Sequence, residues 1–455
     1  MLKFEVEIFA RETIKPSSPQ IHDMKPFKLS FFDQFTPSTY ATQIFFYSAT
    51  ETTTTATILP QLKTSLSQTL NLLYPFSGRI KDNMSIHGFG KGVPFISARA
   101  GCRLAELVKQ QEVKSLNKLL PCHPFSKESN NEMVPLLVCQ VTIFACGGIA
   151  LGLAYYHKIT DAHVAFLLCS VWSKICGGSG PPSPQDVGFH GLDEASKLFP
   201  PRNVVPQNYL STMENLWFPG SNNSITKRFT FHAKSITQLR AIAKGEHQAT
   251  PSRVQALSGF ILKRCMAASR TISGSSKPSV VAQAASLRPR ILDPSLLQYS
   301  IGSLIWFASC AADIADESGT ELSELVKLMG ESVAAYDGEY LNSLQGEAGF
   351  EAMGELISQL ETMFSSESEK PDIFAFTSWC HHRFYELDFG WGKPVWVAPF
   401  GEIRSEFMNH AVLIGTKCGA GIEAWITLDE QRMSLLEKDA EFLKFASPNP
   451  KISSL

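Results

Sequence analysis

The residues best placed to do chemistry stand in one pentapeptide, His157-Lys158-Ile159-Thr160-Asp161. An ordinary histidine pKa near ~6.5 leaves the imidazole of His157 neutral at cellular pH, able to take a proton from a hydroxyl or an amine. Asp161 stands four residues on, and two roles are open to it: holding the imidazole, or pairing with a distant arginine to pin the turn. A metal site built on His157, Asp161 and His163 is disfavoured, because His163 leaves the face the other two share and no third ligand follows at a recognisable spacing. His381-His382 reads as a surface or strand-end pair. No protein nucleophile is signalled: there is no G-x-S-x-G, no cysteine in a catalytic signature and no phosphate-cradling loop. A base without a nucleophile points to direct transfer from an activated donor onto an acceptor hydroxyl or amine.

The pentapeptide must be held by what flanks it. Residues 149–156 are apolar apart from tyrosine hydroxyls and read as a buried strand. Val164, Leu167, Leu168, Val171, Trp172 and Ile175 recur at helical spacing. The runs 136–145 and 149–156 flank Cys146-Gly147-Gly148, which predicts a hairpin. Leu59, Leu62, Leu66, Leu70 and Leu73 give one helical face. Further strands are expected at 43–47, 225–231, 280–287, 374–379, 394–398, 411–415 and 422–428. Helices are expected at 252–267, 321–336, 347–364 and, last, 435–445. From Gly177 to Asn223 the chain is rich in Gly, Pro, Ser and Asn, so a surface crossover without regular structure is expected there. The fold class is therefore α/β: two domains of similar size and mixed sheet and helix, 1–176 and 224–455, joined by the crossover 177–223. A ligand site between them is the default for such a layout.

The totals narrow the function. The chain has 455 residues, and 41 basic side chains balance 43 acidic ones, so no basic surface calls for nucleic acid or an anionic membrane. No apolar run approaches the ~18 residues of a membrane span. The first residues alternate polar with apolar as a strand does, unlike a signal peptide. The ten cysteines form no CxxC pair and most sit in apolar runs, so a reduced, cytoplasmic protein fits; no metal is expected.

A second stretch, Asp388-Phe389-Gly390-Trp391-Gly392, changes the weight of the first. An aspartate buried between aromatic residues needs a cationic or multiply hydrogen-bonded partner, and Arg288 is the candidate. Together with Tyr74-Pro75-Phe76-Ser77-Gly78-Arg79, Ser286-Leu287-Arg288-Pro289-Arg290, Ser378-Trp379-Cys380 and Gly421-Ile422-Glu423-Ala424-Trp425, the ordered set resembles the plant acyl-CoA-dependent BAHD acyltransferases over essentially the whole chain. Ile14 to Pro19 and the Cys146-Gly147-Gly148 turn resemble its alkaloid acetyltransferase branch.

The resemblance implies a chloramphenicol acetyltransferase-like fold, with the histidine midway along a solvent channel between two domains. It implies acetyl-CoA or another acyl-CoA as co-substrate, no permanently bound cofactor, a small-molecule acceptor and a monomer. It implies His157 as general base, and Asp161 turned away from the site to bond an arginine, with Arg288 as support. Asp388 matches an aspartate remote from the channel that is sometimes counted as catalytic. It is kept in the catalytic set beside His157, with a structural role expected. Ser252 and Ser286 are carried over as CoA-contacting positions. The chain departs from the family at Ala162 for Gly, at Gly302-Ser303 for Gly-Asn and at Ser286 for Asn; these changes bear on the channel wall and the acyl pocket. The function expected is O-acetylation of an alkaloid alcohol. A malonyl or other donor, an amine acceptor, or a binding protein that has lost the chemistry are the alternatives.

Overall fold

The computed structural model describes residues 4–49, 54–110, 112–127, 133–178, 180, 191–219, 223–246, 249–274, 279–312, 321–365, 371–403 and 407–449. The proline run 181–184 and the end of the polar loop 121–132 lie outside the described residues.

Strand Ile149–Tyr156 is buried along its whole length because it lies inside a sheet. The order of that six-stranded sheet is Val6–Ile14, Val93–Ala100, Leu137–Phe144, Ile149–Tyr156, Tyr40–Tyr47 and Trp396–Ala398. Leu137–Phe144 and Ile149–Tyr156 form the expected hairpin, antiparallel from Leu137 opposite Tyr155 to Ile143 opposite Ile149. Gly147 supplies the φ of +81° in its turn, which costs glycine nothing. Gly152 permits a close approach: a Cβ there would stand 2.0 Å from the carbonyl oxygen of Leu119. Trp396–Ala398 comes from the far end of the chain and pairs antiparallel with Tyr40–Tyr47, so one strand crosses the contiguous division drawn from sequence.

Helix Ala162–Cys176 follows the pentapeptide. Asp161 is its N-cap, with Oδ1 accepting from the Val164 N–H at 2.9 Å. Val164, Leu168, Val171 and Trp172 are buried, the face the spacing predicts. Trp172 Nε1 donates to Ser65 Oγ at 3.0 Å, which ties this helix to helix Thr55–Leu72.

The second sheet runs Ile305–Ala312, Ser279–Ser286, Asp372–Ser378, Asn409–Gly415, Ile422–Asp429, Ser224–Phe231 and Ala446–Pro448. Three adjacent strands of it, Ser279–Ser286, Asp372–Ser378 and Asn409–Gly415, are mutually parallel. Helices Ala233–Lys244, Arg253–Ser273 and Leu322–Ala334 bury Leu239, Leu257 and Leu325 in one core beneath it.

Two expectations are corrected. The crossover is not irregular: it holds helices Glu194–Leu198 and Gln207–Trp217. It is not confined to the surface either, since Phe199 is fully buried with its ring 5.6 Å from Phe31 and 5.1 Å from Phe32. Its large apolar residues are scattered among Pro, Gly and Ser, and aromatic burial outweighs the loop-like composition around them. The final helix is two short ones, Glu430–Leu436 and Ala440–Leu443, followed by strand Ala446–Pro448. Asp439 breaks it by capping the second, accepting from the N–H groups of Glu441 and Phe442.

Candidate active site

A channel of about 980 Å³ lies between the two sheets and is lined from both halves. His157 opens the turn at the end of strand Ile149–Tyr156, and its ring faces this channel. Its backbone N–H donates to the Thr39 carbonyl at 2.8 Å. Trp217 stands edge-on to the imidazole with centroids 4.9 Å apart, and Phe125 lies at 6.4 Å. Nδ1 makes no hydrogen bond to another described residue. Burial pushes the pKa of His157 below its ordinary value, against the opposing pull of its own backbone and of Asp161. The ring is thus neutral and able to accept a proton.

Asp161 points away from that ring. Its Oδ2 accepts from Arg288 Nε at 3.0 Å and from the Leu304 N–H at 3.2 Å. Arg288 also donates to the carbonyls of Leu297 (2.8 Å), Ser300 (2.9 Å) and Gly302 (2.7 Å), so its fork is well satisfied although the residue is buried. Burial raises the Asp161 carboxyl, but Arg288, His163 and the Val164 N–H together carry it below its ordinary pKa. Of the two roles open to Asp161, the geometry is that of the pinned turn.

Asp388 is placed elsewhere, and the expectation that it is buried and paired with Arg288 is corrected. It is exposed, lies outside the channel lining and closes its own loop, with Oδ1 accepting from the N–H groups of Gly390 (2.8 Å) and Gly392 (2.9 Å). Those glycines take φ of +105° and +100°, which lets both N–H groups converge on one carboxylate. Arg288 is committed to Asp161. Phe389 carries the burial, 5.3 Å from Trp172.

Ser252 and Ser286 both line the channel. Ser252 caps helix Arg253–Ser273 in a box with Gln255. His381 and His382 stand just past the end of strand Asp372–Ser378, His381 exposed, and also line the channel; His382 packs on Phe166 and His163 at 5.7 and 6.2 Å. Among the described residues no three His, Cys, Asp or Glu side chains could hold a metal ion.

Several residues carry the site without a signal strong enough to single them out. Lys158 turns inward, and its Nζ donates to the carbonyls of Asp33 (3.1 Å), Gln34 (3.1 Å) and Thr36 (2.7 Å) at the end of helix Phe31–Phe35. Burial pulls its pKa down to about 7 and pushes that of Asp33 up to about 6. Asp33 Oδ1 in turn accepts from the Ser303 N–H at 2.6 Å. The turn carrying His157 is thus braced by Lys158 on one side and Arg288 on the other. The one available hint was a lysine between a buried strand and a buried helix. Trp217, from the crossover, and His410, from strand Asn409–Gly415, also face the channel; neither stands near the motif in sequence.

The model of the Transferase family, the BAHD acyltransferases, matches residues 4–443. The chain belongs to this family. Akuammiline synthase 2 of Alstonia scholaris is 37% identical over 453 residues, 98% of either chain. Limonoid 7-O-acetyltransferase of Citrus sinensis is 34% identical over 472 aligned positions, 98% of this chain and 99% of that one. The crystal structure of vinorine synthase superposes with a TM-score of 0.78 at 29% identity, covering 97% of this chain and 99% of that one. The chloramphenicol acetyltransferase-like architecture expected of a BAHD acyltransferase is the one found.

Proposed function

We propose that this BAHD acyltransferase moves an acetyl group from acetyl-CoA to a hydroxyl of a polycyclic specialised metabolite, an alkaloid alcohol foremost, with His157 as general base. The observation that carries this reading is a neutral, desolvated imidazole in the wall of a channel that both halves line. The acceptor oxygen attacks the thioester carbonyl while His157 takes its proton. The tetrahedral intermediate collapses, the carbon–sulfur bond breaks, and the CoA thiolate leaves and recovers the proton from the imidazolium. Ser252 and Ser286 contact CoA, and the N-terminus of helix Arg253–Ser273 favours a phosphate beside them. Asp161 and Arg288 are positioning residues, and Asp388 holds its loop. We further infer a monomer, and a reducing cytoplasm, the latter supported by ten free thiols.

Arg288 is neutralised by Asp161, whereas Arg290 meets the carbonyls of Ser286, Val333 and Tyr336 and keeps its charge beside the channel; a malonyl donor is therefore the second reading, to be screened beside acetyl-CoA.

Thiol release from acetyl-CoA in the presence of a pool of alkaloid and limonoid alcohols tests the reading. His157→Ala is expected to lose about 10²–10⁴-fold in turnover while keeping its melting temperature and its affinity for CoA. Near-normal turnover in the purified variant would refute the mechanism.

A further inference from the structure

We propose that His410 selects the acceptor, by hydrogen-bonding a second hydroxyl or a carbonyl on the polycyclic alcohol whose reacting hydroxyl lies at His157. The inference rests on the channel being an acyl-transfer site and goes beyond that in naming the acceptor class: rigid alcohols with a further oxygen function.

The strand supplies the aim. Side chains alternate along it, so Met408, His410 and Val412 face the channel, while Ala411 and Leu413 face the opposite core. His410 is 8% exposed, and its Nδ1 is sealed from solvent with no hydrogen-bond partner among the described residues. Its neighbours are aromatic, Phe407 at 5.4 Å and Phe125 at 6.1 Å. Nε2 is not among the sealed side-chain atoms and the ring lines the channel, so Nε2 is the nitrogen that a ligand oxygen can meet, and leaving it unmet beneath a bound ligand is costly. His157 packs on the same Phe125 ring, so a molecule of a few fused rings can reach both imidazoles. Burial holds His410 neutral, with a pKa down to about 3. Nε2 therefore presents a donor or an acceptor according to the tautomer, which suits an uncharged oxygen function and gives no counterion to a charged one. Among the described residues Asp161 is the acid in the channel wall, and Arg288 occupies it.

The test uses pairs of alkaloid, limonoid and steroid alcohols that differ by one hydroxyl or carbonyl, androstanol and androstanediol among them. Calorimetric affinities are measured for the protein carrying His157→Ala, so that binding is read without turnover. They are then repeated with His410→Phe, which keeps a ring and deletes its polar atoms, and with His410→Gln, which keeps a donor and an acceptor. The protein with native His410 is expected to prefer the doubly oxygenated partner by about tenfold in Kd, the worth of one hydrogen bond. His410→Phe erases that preference without lowering the melting temperature, and His410→Gln restores part of it. In turnover the loss falls on the KM of the acceptor rather than on kcat. No preference with native His410, an unchanged preference in His410→Phe, an equal loss for both members of each pair, or binding of no member overturns the proposal. A His410-dependent preference without acetyl transfer upholds it and counts against the acyl-transfer reading alone.

Discussion

Two aspartates stand in the two motifs of this chain, and they do opposite kinds of work. Asp161 is buried and reaches across the molecule, to an arginine 127 residues on. Asp388 is exposed and reaches no further than Gly392. The loop of Asp388 sits against the far end of helix Ala162–Cys176, where the Asp388 carbonyl would be 3.2 Å from a Cβ on Gly177. That helix has 15 residues and spans roughly 22 Å at 1.5 Å per residue. One carboxylate sets the helix start beside the channel, and the other closes a loop at its opposite end. The same side chain is thus a cross-domain clamp where it lacks water and a local turn former where it has water.

The largest effect expected from this contrast follows breakage of the clamp. Arg288→Met leaves Asp161 as an unpaired buried charge, which costs about 3–5 kcal/mol. Soluble yield and melting temperature should fall with the activity, and Asp161→Ala should resemble it. A double-mutant cycle by denaturant unfolding should show strongly non-additive losses; additive losses would mean that the two act separately.

Asp388→Ala should cost less, about 1–2 kcal/mol for two hydrogen bonds at an exposed site. Asp388→Asn should recover most of that, because an amide oxygen still accepts from both N–H groups. Asp388→Ala that melts like wild type yet is inactive would return this residue to the catalytic set.

The smallest effect is one of pH. The folded-state pKa of Asp161 lies below its ordinary value, so its contribution to stability is present above the unfolded value of about 3.9. It is lost as pH falls through the lower folded value. The difference in melting temperature between wild type and Asp161→Asn should therefore be constant near neutrality and shrink below about pH 4. A gap that persists into strong acid would mean that the carboxylate charge is not what Arg288 needs.

Much of the scaffold was legible because its signals are local. The Leu137–Phe144 and Ile149–Tyr156 hairpin was marked by two apolar runs around Gly147, and helix Ala162–Cys176 by apolar residues at helical spacing. The break at Asp439 was not read, since an aspartate inside a helical pattern and an N-cap look alike until the helix ends. The crossover was misjudged because its Gly, Pro, Ser and Asn content outweighed its large apolar residues in the reading, and only the partners that Phe199 and Trp217 bury against give those residues weight.

The site divides along the same line. Sequence by itself determined that a histidine would stand at a seam between a buried strand and a buried helix, and the ordered motifs determined the family. Which arginine meets which aspartate, that Lys158 braces the turn from beneath, and that Trp217, Phe125 and His410 enclose one channel were decided by the tertiary structure. The physical reason is range. Backbone periodicity and capping act over a few residues and are written in consecutive letters. Burial, and with it the pKa of every group in this site, depends on segments tens to hundreds of residues apart arriving at one place.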